Sequence, residues 1–512
     1  MNFLEKLLEK KDEKDTTYNI FLGAPESEAE STDFSRMHLE DVFITNEKVI
    51  NDLAYEKFIV LGKKGTGKSA IANYLKICSL NDANLFCSFI KKNNIDLEQS
   101  ISTQYTSSLD IGIIFKWTIL YKLLSLLIEN TRIEHEKGVG FLKKFLNKNS
   151  SFCEFDTFKI TEFISHSNAE IQIDAIKKYA QIKGMKGLDT KREKMPFFEV
   201  IPKLEEIAKA LLNTIEQYHD ETSYFIFFDD LDNDYKIDDK KSNRDLLSLL
   251  RIAKEFNTST FAHFGKTTVK IVLLLRDDIK SSLMDNADTA KLFSSYSTKI
   301  SWYNEKELRD APDNTLIKQF IDKRIEKACN AETLKNNFSK KIKNWEDLIT
   351  VPFKTVLDLT FYTPRDLILF LSPITEKKYK IPLSLENIEE LNEIYCDSIV
   401  NELRNAFSIY YEKNEIDILF DILKDNLWKD DATFSKLKEL CKDKQIDGNK
   451  AIHILFDNSI IGLKVSNYIY FKHREKEEES LASNIDETSV FTLHKALKTY
   501  FYKHRHSYIN VR

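Results

Sequence analysis

The chain has 512 residues, 42% hydrophobic and 12% aromatic, a length sufficient for about two to four domains with large cores. Its formal net charge of −6 excludes a protein that coats nucleic acid through overall positive charge, so contact with DNA or RNA would need a local patch. The six cysteines include no Cys-x-x-Cys pair, which argues against a disulfide framework or a zinc site and favours a reducing cytosol.

The amino terminus reads as the start of a charged amphipathic helix and not as a signal peptide. The most apolar stretch, residues 111–128, is interrupted by Lys116 and Lys122, so it predicts a buried helix rather than a membrane span. We therefore expect a soluble, cytoplasmic protein without a membrane segment.

Residues 1–40 are predicted to be a loosely ordered N-terminal extension. Apolar segments then predict five strands, which lie at 58–61, 85–90, 224–228, 271–275 and 298–302. Strands that alternate with helices indicate a parallel sheet covered by helices, so the predicted fold class is α/β.

The interval between the second and third strands is far longer than the usual connection of about 2–6 residues. Residues 108–220 are therefore predicted to be an insertion, and its apolar spacing predicts helices at 111–130, 169–181 and 197–218. Further helices are predicted at 246–256, 316–329, 345–361 and 364–370. The last block, 383–512, is predicted to mix helices with one strand at 468–472.

A Gly-x4-Gly-Lys-Ser pattern follows the first strand directly, and an apolar-periodic helix follows the pattern. Its glycines let the backbone approach a nucleotide, and its N–H groups would face the phosphates at the start of the helix. Lys68 is expected to reach the β- and γ-phosphates and Ser69 to hold Mg²⁺. Nine residues are predicted to bind the nucleotide: Gly62, Lys63, Lys64, Gly65, Thr66, Gly67, Lys68, Ser69 and Ala70.

Asp229 and Asp230 end the third strand, where ligands collect in open α/β sheets. We assign Asp229 to Mg²⁺ and Asp230 to orienting or deprotonating the attacking water. Asp232 and Asp234 either support the metal or form an exposed acidic turn.

Two arginines are candidates for sensing the nucleotide. Arg276 ends the fourth strand and could contact the γ-phosphate, the alternative being an ion pair to Asp277 or Asp278. Arg365 opens a helix in the following domain and could couple that domain to the phosphate state, the alternative being an ordinary ion pair at a helix start. Arg324 is better explained by a pair on a helix surface.

This order of motifs resembles the additional-strand class of P-loop ATPases, which includes AAA+ and STAND proteins. The segments that begin at Gly62, Phe227, Leu275, Ile300 and Pro364 are similar to those of a bacterial ATPase family near the STAND and KAP groups. The resemblance implies a sheet order of 5-1-4-3-2, a helical lid and an ATP-controlled switch, and relatives often occur in antiviral defence loci. Asn233 stands where KAP proteins carry an arginine, and the predicted lid, residues 306–382, lacks the Gly-x-Pro of the STAND lid.

The resemblance covers roughly residues 40–375 and implies four regions. These are an extension at 1–40, a P-loop ATPase core at 41–305, a helical lid at 306–382 and a winged-helix-like module at 383–512.

Three functions remain open from the sequence. The first is an ATPase switch that uses ATP and Mg²⁺, turns over slowly without an activator, and acts through self-assembly or a partner effector.

The second is a nucleic-acid-loaded ATPase, because residues 495–512 carry lysines, arginines and aromatic side chains without an acid. That stretch is better explained by an amphipathic helix with a cationic polar face and its aromatic residues in the core. The third is a scaffold that binds nucleotide without hydrolysis, which the second carboxylate, Asp230, disfavours. ATP is favoured over GTP because the guanine signature Asn-Lys-x-Asp is absent from the sequence.

Overall fold

The computed structural model describes residues 17–92, 111–136, 138–148, 155–156, 194–195, 197–233, 235–283, 287–330, 341–474 and 485–505. The chain forms two compact units. The sheet unit comprises residues 45–64 and 68–300, and the C-terminal unit comprises residues 1–44, 65–67 and 301–512.

Five parallel strands form the centre of the sheet unit. They are β1 (Ile59–Leu61), β2 (Leu85–Lys91), β3 (Thr222–Asp229), β4 (Thr267–Leu275) and β5 (Ser297–Lys299). Their order across the sheet is β5-β1-β4-β3-β2, which is the order that the resemblance implied. The predicted α/β class is confirmed at this level, as a mixed structure around an all-parallel five-stranded sheet.

The central strands are nearly continuous apolar runs because helices cover both faces of a parallel sheet. Phe227 and Phe228 of β3 and Leu273 of β4 are fully buried. The helices of this unit are Glu47–Ala54, Lys68–Asn81, Ile111–Leu127, Val139–Lys148, Phe197–Glu216, Lys240–Glu255, Asp277–Leu283 and Ala287–Tyr296. The helix predicted at 169–181 lies outside the described residues.

The helix Ile111–Leu127 buries most of its side chains in the core of the sheet unit, as its apolar composition predicted. Across the part of the chain that the structure describes, no helix has both the length and the apolar character needed to cross a membrane.

The C-terminal unit has a separate hydrophobic core. Its main helices are Leu316–Cys329, Pro364–Leu371, Leu385–Phe407, Lys413–Leu427, Phe434–Asp443, Gly448–Asp457 and Lys495–Lys503. Shorter helices lie at Ser27–Glu30, Leu39–Val42, Glu305–Asp310, Trp345–Leu348 and Phe353–Leu357. A two-stranded sheet pairs Thr17–Tyr18 with Tyr379–Lys380.

A second, antiparallel sheet contains β6 (Ala432–Thr433), β7 (Ile461–Val465), β8 (Tyr468–Tyr470) and β9 (Val490–Leu493), in the order β6-β9-β7-β8. The strand predicted at 468–472 is present as β8, but the prediction that this block has one strand is wrong. The other three strands, of two to five residues, give too short an alternation to be recognised in the sequence.

Two other predictions fail in this unit. The single helix at 345–361 is broken before Phe353, because Pro352 lacks the N–H that a helix interior needs. Residues 17–40 are not loosely ordered, since Ile20, Leu22 and Met37 are buried in the core.

Candidate functional site

The carboxyl ends of the parallel strands bring the predicted site residues of the sheet unit to one edge. Leu61 of β1 lies opposite both Leu275 of β4 and Lys299 of β5. On the far side, Asp229 of β3 lies opposite Lys91 of β2. Gly62 and Arg276 follow Leu61 and Leu275 directly, so this register places them on the same edge as Asp229.

Lys68 begins the helix that follows the glycine-rich loop and turns back onto the loop. Its Nζ donates to the carbonyl oxygens of Gly62 and Lys63 at 3.0 and 3.1 Å. Burial lowers the pKa of Lys68, and nearby Arg276 adds to that effect, whereas Asp232, Asp277 and Asp229 oppose it. Lys68 is thus a desolvated ammonium held among carboxylates, which suits a group that neutralises a bound anion.

Ser69 and Ala70 occupy the second and third positions of the helix Lys68–Asn81. The amides of a helix's first turn have no partner within the helix and favour an anion there. This position is the one that the predicted roles of Ser69 and Ala70 require.

The tip of the loop, Gly65–Gly67, clusters with the C-terminal unit. Gly65 and Gly67 have φ values of +82° and +90°, which side chains other than glycine rarely tolerate. A Cβ atom on Gly65 would also lie 2.9 Å from Cβ of Arg365 and 3.1 Å from Oγ1 of Thr363. Glycine at position 65 is therefore required both by its conformation and by the close approach of Arg365 and Thr363. The approach to a nucleotide stays a prediction.

Asp229 and Asp230 differ sharply in their surroundings. Asp229 is 4% exposed, and its Oδ1 accepts the backbone N–H of Asp230 at 2.9 Å. Asp230 has a φ of +56°, and its Oδ2 lies 3.7 Å from Nζ of Lys91. A non-glycine residue in this region of backbone space often marks a functional position. Asp229 is thus a buried carboxylate, and Asp230 is a more exposed carboxylate next to Lys91.

Arg276 is 6% exposed and is bound by acids on two sides. Its Nε donates to Oδ1 of Asp278 at 3.1 Å, its second amino group pairs with Oδ2 of Asp278, and its third nitrogen lies 3.6 Å from Asp232. The ion pair to Asp278, one of the alternatives predicted for Arg276, is therefore present. The positive charge of Arg276 also contributes to lowering the pKa of Lys68.

The guanidinium of Arg365 lies among residues of the C-terminal unit. Its Nε donates to the carbonyl of Pro25 at 3.1 Å, and its amino groups lie 4.0 Å from Glu26 and 3.8 Å from Glu402. The backbone N–H of Arg365 donates to the carbonyl of Gly65 at 3.4 Å. This arginine therefore contacts the loop through its main chain, while its side chain forms ion pairs.

Arg324 was predicted to pair on a helix surface, which is wrong. It is 3% exposed and forms a two-pronged ion pair with Glu30, at 2.5 and 2.7 Å. Its partner comes from the N-terminal segment, which local helix spacing cannot reveal.

Asp277 and Lys299 were not recognised as site residues from the sequence. Nζ of Lys299 lies 3.4 Å from Oδ2 of Asp277. Burial alone would raise the pKa of Asp277, but Lys63, Lys299 and Lys68 outweigh it and hold the pKa below its ordinary value. The only sequence signal was an acid directly after Arg276.

Trp302 packs on Phe320, with ring centroids 5.9 Å apart. Its indole Nε1 also donates to the carbonyl of Thr66 at 2.8 Å, a contact that the sequence did not indicate.

The described part of the C-terminal stretch is engaged within the protein. Leu497 and Phe501 are buried, Nζ of Lys498 donates to Oγ1 of Thr492 at 2.9 Å, and Lys503 pairs with Asp397 at 2.5 Å. The amphipathic-helix interpretation therefore holds for Leu497 and Phe501, whereas Tyr502 is 57% exposed. Residues 506–512 lie outside the described residues.

A nucleotide with Mg²⁺ fits this arrangement by the chemistry of its side chains. The described residues contain no cluster of three or more His, Cys, Asp or Glu side chains suited to a metal ion. Mg²⁺ commonly takes one or two protein oxygens together with substrate phosphates and water, so Ser69 and Asp229 suffice as ligands.

No protein-family model and no curated protein matches this chain.

Proposed function

We propose that the protein is an ATP-binding and hydrolysing switch of the additional-strand P-loop class. The observation that carries the proposal is Lys68, a desolvated ammonium that closes a glycine-rich loop at the carboxyl edge of a parallel sheet. Asp229 lies buried at the same edge.

Each residue has a distinct role in this proposal. Lys68 exchanges its loop carbonyls for phosphate oxygens, and Arg276 adds a second positive charge near them. Ser69 and Asp229 hold Mg²⁺, which supplies charge neutralisation at the phosphates. Asp230 accepts a proton from the attacking water. Nζ of Lys91 lies 3.7 Å from its Oδ2.

The loop tip and Arg365 provide the switch. Gly65–Gly67 belong to the same compact unit as residues 301–512, so a change at the loop on nucleotide exchange is passed to that unit. The proposed output is self-assembly or engagement of a partner effector, in the setting of antiviral defence that the resemblance implies.

The direct test is calorimetric binding of ATP and ADP with Mg²⁺, together with phosphate release, for wild type, K68A and D230N. K68A is expected to weaken ATP binding at least about tenfold. D230N is expected to keep ATP affinity within about threefold and to lose about 10²-fold in turnover.

K76A is the matched control, because Lys76 lies on the same helix and also donates to a backbone carbonyl, that of Cys87 at 2.9 Å. It should bind ATP like wild type. Wild-type protein that binds no nucleotide contradicts the proposal, and D230N with unchanged turnover contradicts the role of Asp230. Light scattering of wild type and D230N with ATP or ADP then tests self-assembly.

A nucleic-acid-loaded ATPase remains the second candidate. The observation that favours it concerns β8 and not residues 495–512. Tyr468 and Tyr470 lie on β8, the edge strand of the second sheet, and are 70% and 39% exposed. That sheet and its helices are compatible with a winged-helix module. Exposed aromatic rings can stack on bases. Y468A/Y470A should abolish a DNA- or RNA-dependent change in mass or turnover, and wild type without such a change rejects this candidate.

A further inference from the structure

The tip of the glycine-rich loop is held by two donors from the C-terminal unit, and each occupies a carbonyl oxygen. Nε1 of Trp302 donates to Thr66 at 2.8 Å, and the backbone N–H of Arg365 donates to Gly65 at 3.4 Å. Both bonds lie within one compact unit.

A planar trans peptide links each carbonyl to the amide that follows it. The C=O of Thr66 and the N–H of Gly67 point in opposite directions, as do the C=O of Gly65 and the N–H of Thr66. The N–H of Gly67 therefore points away from the donor on Trp302, and the N–H of Thr66 points away from the donor at Arg365. A phosphate cradle needs such amides directed at the anion before it arrives.

Trp302 is suited to this task because its ring is fixed by packing. It meets Phe320 edge to face and packs against the core of the C-terminal unit. A donor on a rigid ring restricts the peptide between Thr66 and Gly67 far more than a water molecule would. Glycine at position 67 would otherwise leave that peptide free to rotate.

We propose that Trp302 is a positioning residue for phosphate binding: its indole N–H orients the peptide between Thr66 and Gly67 for the anion. The inference rests on the proposed function and adds a residue to that site. It also makes the beginning of the 301–512 segment a determinant of nucleotide affinity.

The test compares W302F with W345F. Each change removes one indole N–H that donates to a backbone carbonyl at 2.8 Å, from Trp302 to Thr66 and from Trp345 to Val351. Trp345 is fully buried, whereas Trp302 is only partly buried, so W345F should lower the melting temperature at least as much as W302F. W302F alone should raise the dissociation constant of ADP with Mg²⁺, by about three- to tenfold, the equivalent of one lost hydrogen bond.

A spectroscopic measurement keeps the test independent of how W302F folds. The chain has four tryptophans, so 5-fluorotryptophan labelling gives a small set of fluorine resonances. Variants at Trp117, Trp345 and Trp428 assign the Trp302 signal by elimination. That signal should shift when ADP with Mg²⁺ is added, and the Trp345 signal should not.

The outcomes separate the two proposals. Wild type that binds ADP, with W302F within twofold of it and an unmoved Trp302 signal, overturns the role of Trp302 and leaves the ATPase proposal standing. Wild type that binds no nucleotide overturns both.

Discussion

Asp278 holds the guanidinium of Arg276 from two residues further along the chain, through Nε at 3.1 Å to Oδ1 and a second contact to Oδ2. Asp232 lies 3.6 Å from the same guanidinium. Arg276 thus pairs with two acids at the sheet edge that carries Lys68, and it supplies the positive charge that the proposed sensing of phosphate requires. Replacing it should therefore change the electrostatic potential at the site and not only remove one contact.

We expect R276A to weaken ATP binding by about tenfold or more and ADP binding by less, because the γ-phosphate carries the additional charge that Arg276 would meet. Calorimetric titration with both nucleotides measures the ratio. D278N serves as the control, since it leaves the charge of Arg276 in place and should preserve the preference for ATP. Equal losses for ATP and ADP in R276A would contradict a sensing role.

Asp277 should act in the opposite sense. It competes for Lys63, Lys299 and Lys68, whose combined attraction holds its pKa below the ordinary value despite its burial. We expect D277N to tighten ATP binding by about two- to fivefold at low salt, and less at high salt because screening weakens the competition.

D239N is the matched control for D277N. Asp239 caps the start of the helix Lys240–Glu255, where its side chain accepts from the N–H groups of Lys241 and Ser242. The control therefore removes a carboxylate from a helix start without removing a neighbour of Lys68. Weaker ATP binding by D277N would show that Asp277 instead positions the lysines.

Asp366 gives a pH dependence of stability that can be measured without a nucleotide. Burial raises its pKa to about 6, with Glu402 adding to the rise, while Thr363 and Arg365 oppose it. The folded protein then binds more protons at this site than the unfolded chain between about pH 4 and pH 6, so stability falls as pH rises through that window. The full loss of folding free energy caused by ionising buried Asp366, about 3 kcal/mol, is present above pH 6 and absent below pH 4.

D366N should remove this slope. Denaturant unfolding of wild type and D366N from pH 4 to pH 7.5 should show the free energy of unfolding of D366N gaining on wild type as pH rises. Parallel curves for the two proteins would contradict the raised pKa of Asp366.

The sequence predicted β1, β3 and β4 of the sheet unit well because each contains a nearly continuous apolar run next to a distinctive polar group. Gly62 follows β1, Asp229 ends β3 and Arg276 follows β4, so the chemistry itself marks where these strands end. Their common edge then follows from parallel pairing.

Contacts that depend on long-range packing could not be predicted. Lys299 meets Asp277 because β5 pairs with β1, and Trp302 meets Thr66 because the loop tip packs with residues far along the chain. Local periodicity contains no information about such partners. The short strands β6, β7 and β9 of the second sheet were missed for a related reason, since β9 pairs with β6 and β7 across long intervals of sequence.

The ion pair of Arg324 and Glu30 is another contact that local periodicity does not reveal. The two residues lie 294 positions apart, and their side chains are 4% and 1% exposed. The guanidinium also donates to the carbonyl of Leu22 at 3.1 Å, and a Cβ atom on Gly23 would lie 1.9 Å from the same nitrogen. This ion pair thus fastens the N-terminal segment to the helix Leu316–Cys329.

E30Q should lower the free energy of unfolding of the C-terminal unit by about 3–5 kcal/mol, because it leaves the charge of Arg324 buried without a counterion. The double variant E30M/R324M should recover most of that loss, since no buried charge remains. K327A is a control on the same helix, where Lys327 forms a half-exposed pair with Asp41 at 2.7 Å, and it should cost less than about 1 kcal/mol. Thermal and denaturant unfolding measure all three, and an E30Q variant as stable as K327A would show that the N-terminal segment is held by its apolar residues alone.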